Sequence, residues 1–166
     1  GGVGKTTLMK KVNNEFARSH DFDLVIWVVV SKDRNVDKIV DDICKGAHIF
    51  AMNESIDDKT REIYNVLKHK KFVLLLDDIW EGLDLDSIGV PPPNERNKSK
   101  VLFTTRLESV CDQMQAKKFE VKCLTKEEAF DLFCVKVGEE TINAEPTIRE
   151  LARELIQECK GLPLAW

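Results

Sequence analysis

Gly1-Gly2-Val3-Gly4-Lys5-Thr6-Thr7 opens the chain and decides how the rest is read. Set against the pattern G-x-x-x-x-G-K-[ST], the second glycine is Gly4, the lysine Lys5 and the hydroxyl Thr6. The first glycine of the pattern would stand two residues before Gly1. Glycines let backbone N–H groups turn toward phosphate oxygens with no Cβ in the way. Gly2, Val3, Gly4, Lys5, Thr6 and Thr7 are therefore the candidate phosphate contacts. Lys5 can reach β- and γ-phosphates and Thr6 can ligate Mg²⁺. The helix that follows would point its positive end at the anion.

A phosphate loop of this kind needs a metal-binding acid at the end of a nearby strand. Phe72-Val73-Leu74-Leu75-Leu76 is an apolar run that leads directly into Asp77-Asp78. Asp77 is placed to hold Mg²⁺, directly or through water, and Asp78 to orient or deprotonate a water near the γ-phosphate. The alternative for the pair is a helix N-cap at a strand–helix turn. Val101-Leu102-Phe103-Thr104-Thr105 is another strand and ends at Arg106. In ATPases with an extra strand between the loop strand and the acid strand, that arginine emerges where a guanidinium can tell triphosphate from diphosphate. The bland reading is a surface arginine.

Further strands and helices alternate around these. Leu24 to Val30 is almost wholly apolar and β-branched, as in a strand covered on both faces, and Phe119-Glu120-Val121 is a candidate short strand. Lys5 to about Ser19 reads as the helix after the loop. Val36, Ile39, Val40 and Ile43 mark one helical face, and a weaker helix runs from Lys59 to Lys68. Gly89 to Lys98, with three prolines, is a surface loop. Beyond it, Thr125-Lys126-Glu127-Glu128 forms a capping box before Ala129, Phe130, Phe133 and Val137. A last helix from Pro146 to Cys159 carries Ile148, Leu151, Ala152, Leu155 and Ile156 on one stripe. The expected class is α/β: a P-loop NTPase three-layer parallel sheet lacking its first strand, followed by a small helical subdomain. The expected boundary gives 1–123 and 124–166.

Composition narrows the partners. At 43% hydrophobic, 33% charged and a net charge of −4, the 166 residues suit one ordinary soluble domain, or one and a small part of another, with no basic stripe for nucleic acid. No apolar run approaches the ~20 residues of a transmembrane helix. Cys44, Cys111, Cys123, Cys134 and Cys159 are widely spaced with no C-x-x-C pair, the usage of a reducing compartment. His20, His48 and His69 lack metal-ligand spacing. Asn53-Glu54-Ser55 and Asn97-Lys98-Ser99 are sequons that read as accidental without a signal peptide. Asn97-Lys98-Ser99-Lys100 also imitates the start of the guanine-reading Asn-Lys-x-Asp motif. Lys100 cannot accept the two guanine N–H groups, and the segment precedes a strand, so adenine is the expected base.

Six stretches in order resemble the NB-ARC domain of plant disease-resistance proteins, over the whole chain. Gly1–Thr7 is similar to its phosphate loop, and Phe22 to Ser31 to its next motif. Leu74 to Trp80 resembles its metal-binding strand and Lys100 to Arg106 its γ-phosphate sensor strand. Leu124 with Glu128 to Phe133, and Gly161-Leu162-Pro163-Leu164-Ala165, are similar to its last two motifs. Trp80 after the acids resembles the coiled-coil class of these receptors, as distinct from the Toll-like class.

The resemblance implies a cytoplasmic immune receptor that rests with ADP and becomes active on exchange for ATP, with Mg²⁺ at the phosphates. It implies that Pro163 packs near the adenine, although Gly161-Leu162-Pro163 also reads as a helix C-cap and stop. It gives Arg106 the sensor role and Asp77 and Asp78 the metal and water roles. Its partners are the other domains of the receptor, an N-terminal signalling domain and leucine-rich repeats, and it leaves open an oligomer of the ATP-bound full protein. Hydrolysis is at most that of a slow ATPase; the alternative is a catalytic ATPase or kinase whose turnover is the product. Lys98 stands where the family commonly has glycine, and Trp166 replaces an aliphatic position. The second helical subdomain and its Met-His-Asp motif are missing. Both ends fall within motifs, so the chain reads as an excised segment whose strand at Val101 to Thr105 is left with an unpaired apolar edge.

Overall fold

Phe72–Ile79 (β2) is apolar on both sides of its pleat because it runs through the middle of a three-stranded parallel sheet. The computed structural model describes residues 2–30, 32, 35–50 and 55–163. Gly1, Ser31, Leu164, Ala165 and Trp166, parts of the loop and of two later motifs, lie outside the described residues, as do Asn53 and Glu54. Leu24–Val29 (β1) flanks β2 on one side, with Leu24 opposite Phe72 and Val29 opposite Asp77. Lys100–Thr105 (β3) flanks it on the other, with Val73 opposite Lys100 and Leu76 opposite Phe103.

Alternate residues of β2 serve two different cores, as the period of a strand requires. On one face Leu74 and Leu76 join Ile26 and Val28 against Val36–Gly46 (α2) and Ile56–Leu67 (α3). There α2 contributes Ile39, Val40 and Ile43, all 2% exposed or less, and Cys44 acts as a small apolar filler. On the other face Val73 and Leu75 meet Met9 of Lys5–Ser19 (α1), with Val12, Phe16, Trp27 and Leu102 around them. The result is three layers, helix on sheet on helices, of the α/β class expected from the sequence.

The sheet is irregular at one place. Between the pairs Leu76–Phe103 and Ile79–Thr105 two residues of β2, Asp77 and Asp78, oppose one residue of β3, Thr104. This is a β-bulge, and Asp78 absorbs it with a φ of 60°. Asp and Asn tolerate that left-handed region better than other side chains. The bulge thus places two successive carboxylates at the end of the sheet.

Several boundaries differ from the sequence reading. No strand forms at residues 119–121; Phe119 is 79% exposed in a stretch without regular structure. Helix α3 begins at Ile56 instead of Lys59 because the Ser55 hydroxyl caps it, accepting from the Asp58 N–H at 3.2 Å. A short helix, Glu108–Gln113 (α4), follows β3 and had no clear periodic signal.

The chain divides into two units, Thr6–Lys118 and Phe119–Trp166 together with Gly1–Lys5. The helical part of the second contains Lys126–Val137 (α5), Glu139–Asn143 (α6) and Pro146–Glu158 (α7). The capping box at α5 is formed in both directions: Glu128 N–H donates to Thr125 Oγ1 at 3.2 Å and Thr125 N–H to Glu128 Oε2 at 2.8 Å. Ala129, Ile142, Ala152 and Ile156 are buried, whereas Leu151 and Leu155 of the expected stripe are 59% and 45% exposed. Leu124 N–H donates to the Gly161 carbonyl at 3.0 Å, and Gly161 has a φ of 73°. A Cβ at Gly161 would collide with the Leu124 carbonyl oxygen, so glycine is required there twice over.

Candidate functional site

The bulge at the end of β2 organises the site. Asp77 is only 3% exposed, and its backbone carbonyl accepts the Val30 N–H at 3.0 Å. A buried carboxylate is costly unless its lone pairs are met. Thr104 Oγ1 donates to Asp77 Oδ1 at 2.6 Å, and Thr6 Oγ1 donates to the same oxygen at 3.2 Å. Thr104 Oγ1 also accepts from the Asp78 N–H at 2.9 Å. One threonine therefore ties the backbone of one acid to the side chain of the other. Sequence reading missed it, because a threonine at the end of a strand reads as an ordinary β-former. The available signal was its place opposite the acid pair.

Asp78 faces the neighbouring loop. Its Oδ1 accepts from Arg106 Nε at 3.2 Å. The Arg106 guanidinium lies 5.2 Å from the centre of the Trp80 ring, and Lys32 Nζ is also 5.2 Å from that ring. The parallel pairing of β2 and β3 is what delivers these groups to one place: both strands end at the same edge of the sheet. Thr6, Asp77, Asp78 and Arg106, four residues singled out from sequence, are thus brought together, with Thr104 and Trp80 among them.

Gly2 and Gly4 precede this cluster in the chain with φ of 88° and 92°. A Cβ at Gly4 would meet nothing within 4 Å, so its need for glycine is one of backbone conformation and not of space. Val3 and Lys5 are half-buried, and Thr7 is exposed in the first turn of α1. That turn contains no acidic residue of its own. Pro163 belongs to the helical unit, following the turn at Gly161 in which Leu162 N–H donates to the Cys159 carbonyl at 2.9 Å. Helix α7 ends at Glu158 with Cys159 as its C-cap, so this segment is the turn that follows the cap.

The donor set answers which metal would fit. A threonine hydroxyl and a carboxylate are hard oxygen donors, and a buried Asp77 already meeting the Thr6 hydroxyl suits Mg²⁺ with water and phosphate completing its shell. Among the described residues no group of three or more His, Cys, Asp or Glu could hold a metal alone. Hard oxygen donors of this kind suit a hard divalent cation better than zinc.

Asn97, which imitates part of a guanine-reading motif, is occupied elsewhere. Its Oδ1 accepts from the Asn94 and Ser99 N–H groups, each at 3.0 Å, and its Nδ2 donates to the Pro92 carbonyl at 3.1 Å. Ser99 is buried, and its hydroxyl accepts from the Phe72 N–H at 3.0 Å. The segment pins a loop to the start of the sheet.

The family model for the NB-ARC domain matches residues 1–143. A probable disease resistance protein of Arabidopsis thaliana is 53% identical, covering 99% of this chain and 22% of its own length. Disease resistance protein UNI is 51% identical over 99% of the chain and 19% of its length. Disease resistance protein RPS5, of the same plant, is 49% identical over the same shares. The chain spans about a fifth of the length of the curated relatives it matches. It belongs to the NB-ARC domain family, a family of nucleotide-binding domains, in the form found in plant disease resistance proteins.

Proposed function

We propose that this domain is an ADP/ATP-binding switch of a cytoplasmic plant immune receptor, with hydrolysis serving only to reset it. The observation that carries the reading is the convergence of Thr6, Asp77, Asp78 and Arg106 at one edge of the sheet. In this reading Gly2, Val3, Gly4, Lys5, Thr6 and Thr7 hold the phosphates, and Thr6 and Asp77 hold Mg²⁺. Bound Mg²⁺ would supply neutralisation of charge on the phosphate oxygens. Arg106 senses the γ-phosphate, Asp78 orients water, and Pro163 packs near the base.

The pairing of Asp78 with Arg106 favours a switch over a turnover enzyme. A carboxylate that accepts from a guanidinium is not aimed at a water until the arginine leaves it. A γ-phosphate offers Arg106 a stronger, bidentate partner than Asp78 does through Nε. Adenine is favoured because Asn97 is committed to its own loop. Among the described residues no helix is long and apolar enough to cross a membrane. The other receptor domains, and an ATP-bound oligomer, would be partners of the full-length protein.

Turnover by the full-length protein separates this reading from a catalytic ATPase or kinase. The switch predicts steady-state hydrolysis far below the ~1–100 s⁻¹ of working phosphotransferases. A rate inside that range would make turnover the function.

A further inference from the structure

Trp80 has no part in the reading above, yet its ring lies beside Arg106, which has one. We propose that Trp80 is a positioning residue: its indole face stations the Arg106 guanidinium, so that preference for triphosphate over diphosphate depends on it. The inference rests on the reading of Arg106 as the γ-phosphate sensor.

Arg106 is the first residue after β3, and its side chain is 48% exposed. A long side chain with that freedom loses much rotamer entropy whenever it must be in one place. Among the described residues, contacts with Asp78 and Trp80 limit it here. One is the Nε–Asp78 pair at 3.2 Å, which at such exposure is weak alone. The other is the Trp80 ring at 5.2 Å, inside the range in which a guanidinium is attracted to an indole face. The Asp78 contact uses one of five guanidinium N–H groups, so the fork keeps donors for an incoming anion.

The ring is itself held. Trp80 is half-buried and shares a recess of about 20 Å³ with Val30, Ile39, Ile79 and Leu83. Just beyond it, Gly82 N–H donates to Gln113 Oε1 at 2.7 Å and Leu83 N–H to Met114 Sδ at 3.1 Å. These bonds tie the segment after Trp80 to the end of α4, the helix that follows Arg106. Lys32 Nζ, 5.2 Å from the same ring, adds a second positive charge. Lys32 and Glu81 line the recess with Trp80, and Asp78 is the carboxylate on Arg106.

The test is calorimetric titration of the full-length protein with Mg·ADP and with a non-hydrolysable Mg·ATP analogue. The variants are Trp80→Ala, Trp80→Leu, Trp80→Phe and Arg106→Ala. Trp80→Ala is expected to lower the triphosphate-to-diphosphate affinity ratio ~2–5-fold, the size of an exposed cation–π contact, with ADP affinity unchanged. Trp80→Phe, which keeps a ring face, recovers most of the ratio. Trp80→Leu keeps bulk without a π face and carries the test if Trp80→Ala does not fold. A fall in the ratio for Arg106→Ala but not for Trp80→Ala or Trp80→Leu overturns the role of Trp80 alone. Equal weakening of both nucleotides also overturns it, since that is what a merely structural tryptophan would give. An unchanged ratio in Arg106→Ala overturns the sensor reading, and this inference with it.

Discussion

Asp77 is a carboxylate at 3% exposure, and two threonine hydroxyls share one of its oxygens. Thr104 contributes most to its placement, because it also satisfies the Asp78 N–H inside the bulge. Thr104→Val keeps the shape and removes the hydroxyl, leaving a donor and an acceptor without that partner. It is expected to destabilise the domain by about 1–3 kcal/mol in urea unfolding, with Thr104→Ser close to wild type. No loss in the valine variant would mean that water replaces the hydroxyl. Lys5→Ala removes a point charge from the phosphate loop and is expected to weaken ADP binding about tenfold or more by calorimetry. Unchanged affinity there would count against the loop assignment. Asp78→Ala is expected to slow hydrolysis more than it weakens binding, as measured by single-turnover kinetics beside calorimetry. Equal losses would make Asp78 a structural or metal-holding group. Asp77, Asp78 and Arg106 were legible because each ends an apolar run. Thr104 was not, since its role depends on a two-against-one register that no single strand reveals.

At the scale of elements, the interior of β2 is the most committed stretch of the sheet. Leu75 is fully buried against α1, and Leu75→Ala is expected to cost about 2–5 kcal/mol by chemical denaturation. Helix α2 was readable from its apolar period, and the cap at Asn35 agrees with where it starts. For α3 the period alone placed the start too late, because its first turn, Ile56-Asp57-Asp58, is fixed by the Ser55 cap and not by burial. Residues 119–121 alternate like a strand but have no partner strand among the described residues, and pattern without pairing does not make a strand. The stop of α7 near Gly161 was legible, although its cap is Cys159; the packing of Gly161 on the Leu124 carbonyl was not. Gly161→Ala should increase amide exchange in α5 and α7 while leaving β2 protected. Uniform protection in the variant would show that the turn tolerates a Cβ.

For the whole molecule, sheet order and edge exposure matter most. β3 pairs with β2 on one side, and its other edge has no strand partner among the described residues, with Val101 to Thr105 half-buried. Such an edge is a template for pairing with another chain. The isolated 166-residue chain is therefore expected to self-associate in sedimentation velocity, and a monodisperse monomer would contradict this. The order of motifs along the chain made the family legible before any contact was known, because each motif is chemically short and local. How a nucleotide state is passed on is not local, and no stretch of sequence spells it out. As proposed above, the domain holds adenine nucleotide as a switch that rests with ADP. The most direct test is to denature the purified full-length protein and identify the released nucleotide by chromatography. The expected result is ADP in stoichiometric amount, lost in Lys5→Ala. Guanine nucleotide, or none at all from folded protein, would contradict it.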